Sequence, residues 1–208
     1  MTDAFPLLQI VNGEKRYGKR VILSIRDFSV RHGDLILLQG SNGSGKSTLM
    51  RILAGAIPLT RGTVHEAPEL QDMRVGFAPQ SGGVYDDLTV RQNLELYAGL
   101  YGVAAIGVLE EHWFIRDSAL APILDTPVSN LSGGIKKLTV LACILAIQPH
   151  GLILDEPTSE LDERHARHFY SAISRLSATL SFLIMSSHED RFAGLLSRQI
   201  SLQDGRLT

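Results

Sequence analysis

The sequence has 208 residues, an apolar content of 44%, a charged content of 20% and a formal net charge of −2 at pH 7. This length suits one domain, or one domain that carries a modest subdomain. The chain lacks the basic balance that nucleic-acid-binding proteins usually carry, so nucleic acid is not expected as a partner. The single cysteine, Cys143, excludes an internal disulfide framework and fits a reducing compartment.

The first part of the chain alternates short apolar runs with turn residues, which predicts an antiparallel β-layer that leads into the strand before the glycine-rich stretch. The runs lie at residues 7–11, 21–25, 28–30 and 35–38. A glycine-rich stretch follows the last run, and helical spacing then continues from Ser47 to Ala54. Two further strands are predicted at residues 62–64 and 75–78.

The middle of the chain has helical periodicity, from about residue 89 to residue 124. Flexible joints flank it near Gln80 and at residues 127–130. Residues 80–130 are therefore predicted to form a helical insert, a subdomain placed to move against a catalytic core of residues 1–79 and 131–208.

The last third alternates helices with apolar strands, which predicts a mainly parallel α/β sheet. The predicted helices span residues 132–147, 162–176 and 190–196, the strands 151–155 and 179–185, and a final hairpin 199–207. The longest apolar run is about half the length of a membrane span, and no secretory signal is recognisable. A cytoplasmic protein that reaches a membrane only through partners is expected.

A pattern for binding phosphate lies between the predicted strand at residues 35–38 and the helix that follows it. Gly40-Ser41-Asn42-Gly43-Ser44-Gly45-Lys46-Ser47, with Thr48 behind, fits the spacing G-x-x-x-x-G-K-[ST]. The three glycines let the backbone turn so that successive N–H groups point at one anion, and the helix start adds its dipole. Lys46 can reach the β- and γ-phosphates and Ser47 can ligate Mg²⁺. A chance glycine-rich turn is the alternative, and the flanking strand and helix argue against it.

Two acids end the apolar strand Leu152-Ile153-Leu154-Asp155-Glu156. Ligands of α/β sheets gather at the carboxyl ends of strands, where the phosphate loop (residues 40–48) also emerges. Asp155 is thus placed to hold Mg²⁺, directly or through water, and Glu156 to orient or deprotonate an attacking water. Solvated acids before a proline turn are the alternative.

Leu131-Ser132-Gly133-Gly134 is a second glycine-rich segment that opens a helix, without a lysine in the phosphate-binding position. Ser132 is suited to cap the helix, and the glycines permit a ligand to approach its N-terminus closely. Since one loop already serves the phosphates, this segment suggests contact with a nucleotide from another face or another subunit.

With both glycine-rich segments in their order, the sequence resembles the ATP-binding cassette (ABC) ATPase family over essentially its whole length. The resemblance implies an α/β P-loop (RecA-like) core with an antiparallel β-layer and an inserted helical subdomain. It also implies ATP and Mg²⁺ as cofactors. The elements that carry it, in order, are Tyr17, residues 40–47, Gln80, residues 131–134, residues 152–156, Ser159-Glu160-Leu161-Asp162 and His188.

The family resemblance implies a role for each matching position. Nucleotide contacts are implied for Tyr17 (stacking on adenine), Gly40, Ser41, Asn42, Gly43, Ser44, Gly45, Lys46, Ser47 and Thr48. Across a dimer, Ser132, Gly133 and Gly134 would grip the γ-phosphate of the opposite subunit's ATP, and Asp162 would lie in the crossing loop. Catalytic roles fall on Glu156 (base), His188 (switch), Gln80 and Lys46, and metal contacts on Ser47, Gln80 and Asp155. Taken alone, Tyr17 would be a half-buried strand residue and His188 a locally bonded strand-end histidine.

Two positions depart from the family pattern. Ile135 stands where glutamine is usual, and Glu160 where a small residue is usual. Neither removes a group that binds phosphate, metal or water, so hydrolysis is expected to survive. Ile135 with Lys136-Lys137, and the segment at residues 88–102, resemble the export-associated branch of the family.

The function expected from the resemblance is the ATPase subunit of an ABC transporter, with export favoured. Its partners would be a second ATPase subunit, alike or related, and separate integral membrane permease subunits. The subunit would be peripheral on the inner face of the cell membrane. A haem-export-like role in cytochrome c maturation and a soluble, non-transport ABC ATPase stay open. A GTPase is disfavoured, because the Asn-Lys pair of its base-reading motif does not occur in the sequence.

Overall fold

The computed structural model describes residues 5–103, 112–187, 192 and 194–208. In chain order the strands are β1 Leu8–Tyr17, β2 Arg20–Val30, β3 Asp34–Gln39, β4 Arg61–Glu66, β5 Val75–Ala78, β6 Gly151–Asp155, β7 Phe182–Ser186, β8 Arg198–Gln203 and β9 Arg206–Leu207. The helices are α1 Lys46–Leu53, α2 Val90–Leu100, α3 Trp113–Asp117, α4 Gly133–Ala146 and α5 Glu163–Ser177. Short 3₁₀ turns lie at Pro68–Asp72, Ala121–Ile123 and Val128–Asn130.

The predicted antiparallel β-layer is confirmed as a three-stranded sheet in the order β2-β1-β4. Where the sequence predicts two apolar runs, at residues 21–25 and 28–30, the structure has the single strand β2. Arg26 and Asp27, between these runs, are exposed. Asp27 pairs with Val11 of β1 and accepts a hydrogen bond of 2.9 Å from the side chain of Gln9. The two charged residues therefore interrupt the apolar pattern without breaking the strand.

The main sheet has six strands in the order β5-β6-β7-β3-β8-β9, and all its pairs are parallel except β8 with β9. Strands β6 and β7 are buried along their whole length, as expected for strands covered on both faces. Strand β7 begins at Phe182, three residues later than predicted. The N–H groups of Thr179 and Leu180 bond to the carbonyl of Leu176 and close helix α5 instead.

Two apolar clusters form the core, one on each face of the main sheet. Successive side chains of a strand point to opposite faces, so Ile36 and Leu38 of β3 join one cluster and Leu37 joins the other. The cluster of Leu37 also contains Leu94 from α2 and Leu141 from α4. Helix α4 therefore shares one core with the helical insert and with the sheet.

The helical insert is represented by α2 and α3. Thr89 caps α2 through a capping box in which its hydroxyl accepts from the N–H of Gln92, and the Gln92 side chain accepts from the N–H of Thr89. Residues 104–111 of the predicted helical stretch, and part of the predicted helix 190–196, lie outside the described residues. The bounds of the insert, residues 80–130, stay a prediction.

Within the described ranges, the helices are too short, or too polar, to cross a lipid bilayer.

Candidate nucleotide site

The phosphate loop connects β3 to α1, the setting that the sequence predicts for it. Gly40 has a φ of 150° and Gly45 a φ of 109°, a region that favours glycine. A Cβ atom at Gly40 would collide with the carbonyl oxygen of Leu202 and lie 2.7 Å from the Ser44 hydroxyl. The last strands of the sheet thus press against the loop and require a glycine at its start.

Lys46, the first residue of α1, is only 6% exposed. Its ammonium donates hydrogen bonds to the carbonyl oxygens of Gly40 at 2.8 Å and Ser41 at 3.4 Å. It also lies 3.6 Å from a carboxylate oxygen of Glu156. These bonds hold the lysine across the loop, with its positive charge beside the second acid of the predicted pair.

A cleft of about 510 Å³ brings together residues that the sequence places far apart. Its walls come from the end of β1, the phosphate loop, the joint after β5 and the end of β6. The lining residues are Tyr17, Arg20, Ile22, Asn42, Gly43, Gly45, Lys46, Ser47, Thr48, Gln80 and Glu156. Arg20 and Ile22 were missed by the sequence analysis. The sequence feature that could have revealed them is the turn after Tyr17, because this turn pairs Tyr17 with Arg20.

Tyr17 ends β1 at the rim of the cleft, and 53% of its surface is exposed. The ammonium of Lys15 lies 5.4 Å from its ring centroid, a cation–π contact. Tyr17 is thus a strand-end residue with about half of its surface exposed, and stacking on adenine stays a prediction for it. It offers a face on which a purine can stack.

Asp155, at the end of β6, is 1% exposed. One of its carboxylate oxygens, Oδ1, accepts a hydrogen bond of 2.8 Å from the hydroxyl of Ser186. The other, Oδ2, is buried and has no hydrogen-bond partner among the described residues. A buried carboxylate oxygen without a partner is costly unless a cation completes it, and oxygen ligands are those that Mg²⁺ prefers. Asp155 therefore fits the predicted metal.

Glu156 follows Asp155 in a left-handed backbone conformation, with a φ of 45°. This region is uncommon for residues other than glycine, and such strain tends to occur at functional sites. The N–H of Glu156 donates to the hydroxyl of Ser186 at 2.8 Å, so Ser186 bridges both acids. Ser186 was missed by the sequence analysis, although Ser186-Ser187 precedes the predicted switch position.

The second glycine-rich segment does not line this cleft. Ser132 caps α4, its hydroxyl accepting a long bond of 3.5 Å from the N–H of Ile135. Gly133 lines a separate cavity of about 270 Å³ that also borders Gln80 and Glu160. Gly134 lies against the backbone of Glu160 and the side chain of Leu161.

Asp162 also lies outside the cleft lining, at the start of α5. Its carboxylate caps that helix by accepting a bond of 2.8 Å from the N–H of His165. That backbone bond, and next the bond to the His165 side chain, lower the pKa of Asp162. His188, the predicted switch residue, lies outside the described residues, and its role stays a prediction.

A family model described as ABC transporter matches residues 23–159, about two thirds of the chain. The chain is 32% identical over 198 residues to the Nod factor export ATP-binding protein I of Sinorhizobium fredii, covering 87% of this chain and 55% of that protein. It is 33% identical over 184 residues to the zinc import ATP-binding protein ZnuC of a Ruegeria species, covering 88% and 71%. The chain spans 55% to 62% of the length of the Nod factor export proteins of Sinorhizobium, Ralstonia and Bradyrhizobium diazoefficiens.

Solved structures agree with the fold. The structure of an ATP binding subunit of an ABC transporter superposes with a TM-score of 0.84 at 23% identity, covering 97% of this chain and 88% of that one. A dimeric bacterial ABC transporter cassette, MJ0796, superposes with a TM-score of 0.84 at 22% identity, covering 96% of both chains. At these identities the likeness concerns the fold alone.

Proposed function

The chain belongs to the ABC transporter family, and on that premise we propose that it is a Mg²⁺-dependent ATPase subunit that powers an ABC transporter as a dimer. The observation that carries the proposal is the single cleft shared by Tyr17, the phosphate loop, Gln80 and Glu156. It supports the proposal because the residues proposed to stack on adenine, cradle the phosphates and act as the base all line one volume.

ATP binding follows from the walls of the cleft. The phosphate loop presents backbone N–H groups and the start of α1 to the phosphates. The Lys46 ammonium, held by the Gly40 carbonyl, supplies the positive charge. Tyr17, which lines the same cleft, takes the adenine base by stacking.

Mg²⁺ would be held by Ser47, Asp155 and Gln80. The partnerless oxygen of Asp155 supports this assignment. When bound, the ion neutralises charge on the phosphates and orients them for in-line attack.

Glu156 is proposed as the general base. Its carboxylate lines the same cleft as the phosphate loop and lies beside Lys46, so a water held there would stand between the base and the phosphates. The hydroxyl of Ser186 fixes the Glu156 backbone from the N–H side. His188 is proposed to contact the γ-phosphate, as the family resemblance implies.

The dimer is proposed because Ser132, Gly133 and Gly134 do not line their own cleft. In a facing subunit, the start of α4 would close over the nucleotide, supplying donors to the γ-phosphate and excluding water. Hydrolysis would remove the γ-phosphate that joins the two subunits, and the dimer would loosen. A solved cassette of similar fold is dimeric, which supports the proposed dimer.

The work of transport is proposed to pass to separate membrane permease subunits through the helical insert and the Gln80 joint. The subunit would then lie on the cytoplasmic face of the membrane. Relatives named for export and for zinc import both match the chain. Export is the favoured direction, because six relatives named for Nod factor export match, against two named for zinc import, and the residues after Gly134 resemble the export branch.

The test of this function is ATP-dependent dimerisation measured by light scattering after gel filtration. The Glu156→Gln variant should run as a dimer with Mg·ATP and as a monomer without nucleotide. Full ATPase activity from a strict monomer would overturn the proposal that the subunit works as a dimer. Co-purification with a multi-span membrane protein from the native host would then test the membrane partner. Uptake of a transported substrate into inverted vesicles would test the direction of transport.

A further inference from the structure

Lys137 makes three hydrogen bonds that join separate segments of the site. Its ammonium donates to the carbonyl oxygen of Gln80 at 2.7 Å, to the hydroxyl of Ser159 at 2.9 Å and to the carbonyl oxygen of Glu156 at 3.2 Å. An ammonium has three N–H donors, so this geometry uses all of them. Neither the phosphate loop nor the pair of acids predicts a lysine at this place.

These bonds complete a clamp on the strained peptide of Glu156. On its N–H side, Glu156 donates to Ser186 at 2.8 Å. On its carbonyl side, Ser159 donates through its hydroxyl at 2.9 Å and through its N–H at 3.1 Å, and Lys137 adds a charged donor. A non-glycine residue with a φ of 45° persists only where its surroundings hold it, and Lys137 is one of the groups that hold it.

The surroundings of Lys137 match this role. Burial lowers the pKa of Lys137, while the nearby carboxylates of Glu160, Asp155 and Glu156 raise it. A desolvated cation surrounded by carbonyls and acids makes stronger hydrogen bonds than an exposed one. The ammonium of its neighbour Lys136 instead forms a 2.8 Å pair with the exposed carboxylate of Asp86.

We propose that Lys137 is a positioning residue for ATP hydrolysis, which ties α4 to Gln80 and Glu156 and holds the base in its working orientation. The proposal rests on the function proposed above, in which Glu156 is the base. Lys137 is not among the residues that line the nucleotide cleft. Because it lies early in the helix capped by Ser132, it also connects the partner-facing start of α4 with the base of its own subunit.

The test compares Lys137→Met with Lys136→Met, which removes a charge of the same size one residue away. Lys137→Met should lower kcat at least tenfold while the Kd for ATP, measured with a fluorescent analogue, stays within twofold. Lys136→Met should stay within twofold in both. Lys137→Arg should recover at least threefold in kcat over Lys137→Met, because the guanidinium keeps charge and donors.

Lys137→Gln guards against failure to fold, since a neutral polar side chain is tolerated at a half-buried position. It should show the same loss of kcat with unchanged affinity. A kcat within twofold of wild type in Lys137→Met or Lys137→Gln overturns the proposal. So does a loss of ATP affinity parallel to the loss of kcat. Glu156→Gln is measured alongside: if it keeps full turnover, the proposed function fails, and if it alone loses turnover, only the role of Lys137 fails.

Discussion

The ammonium of Lys46 lies 3.6 Å from the carboxylate of Glu156, so the cation of the phosphate loop and the candidate base form an ion pair across the cleft. Both side chains are largely buried, Lys46 at 6% and Glu156 at 16% exposed. An incoming γ-phosphate would compete with Glu156 for the same ammonium. Binding the nucleotide would thus release the carboxylate toward the attacking water.

Replacing Glu156 with glutamine should abolish turnover without abolishing binding. The amide cannot accept the proton of the attacking water, so kcat should fall at least about 100-fold. ATP affinity should rise, because Lys46 loses a competing anion. Phosphate release and equilibrium binding measure the two effects, and unchanged turnover would refute the role of Glu156.

Removing the ring of Tyr17 should weaken ATP binding. Loss of stacking predicts a Kd about threefold to tenfold higher for Tyr17→Ala, with little change in kcat at saturating ATP. Tyr17→Phe keeps the ring and is the matched control. If both variants bind ATP as tightly as the wild type, the adenine ring of ATP does not stack on Tyr17.

Adding a methyl group at Gly134 should lower ATPase activity and leave the folding of the subunit unchanged. A Cβ there would lie 3.5 Å from the Glu160 carbonyl oxygen and 3.5 Å from the Leu161 side chain, ordinary contact distances. The Gly134→Ala subunit should therefore fold as well as the wild type, while its α4 start approaches a facing nucleotide less closely. A kcat roughly tenfold lower, with weaker ATP-dependent dimerisation, is expected.

The control for Gly134→Ala is Gly99→Ala, since Gly99 lies exposed on α2 with open space around its Cβ position. That variant should keep wild-type activity and gain slightly in stability, because alanine favours a helix more than glycine does. Wild-type activity in Gly134→Ala would contradict the split site.

Gly76→Ala should destabilise the fold. Gly76 lies in β5 beneath α4, and a Cβ there would collide with Ile144 and lie 2.9 Å from a methyl group of Leu152. Overpacking of this kind costs about 1–3 kcal/mol. Urea unfolding, with Gly99→Ala again as the control, measures the loss. A midpoint equal to that of the wild type would show that α4 can move away from the sheet without cost.

Contiguous patterns in the sequence were sufficient to predict much of this protein. The phosphate loop, the strand that ends in Asp155 and Glu156, and the Ser132 cap are local, because a turn, a strand end and a helix start each need only a few neighbouring residues. The antiparallel layer and the mainly parallel sheet followed from the spacing of apolar residues.

Only the tertiary structure decided which distant groups meet. The order of the sheet sets β6 beside β7, and that adjacency brings Ser186 to both acids. The packing of α4 on β5 carries Lys137 to the carbonyls of Gln80 and Glu156. A lysine on a helix looks the same in sequence whether it faces water or a buried carbonyl. Its role depends on how strands and helices that are far apart along the chain pack together, which no local pattern encodes.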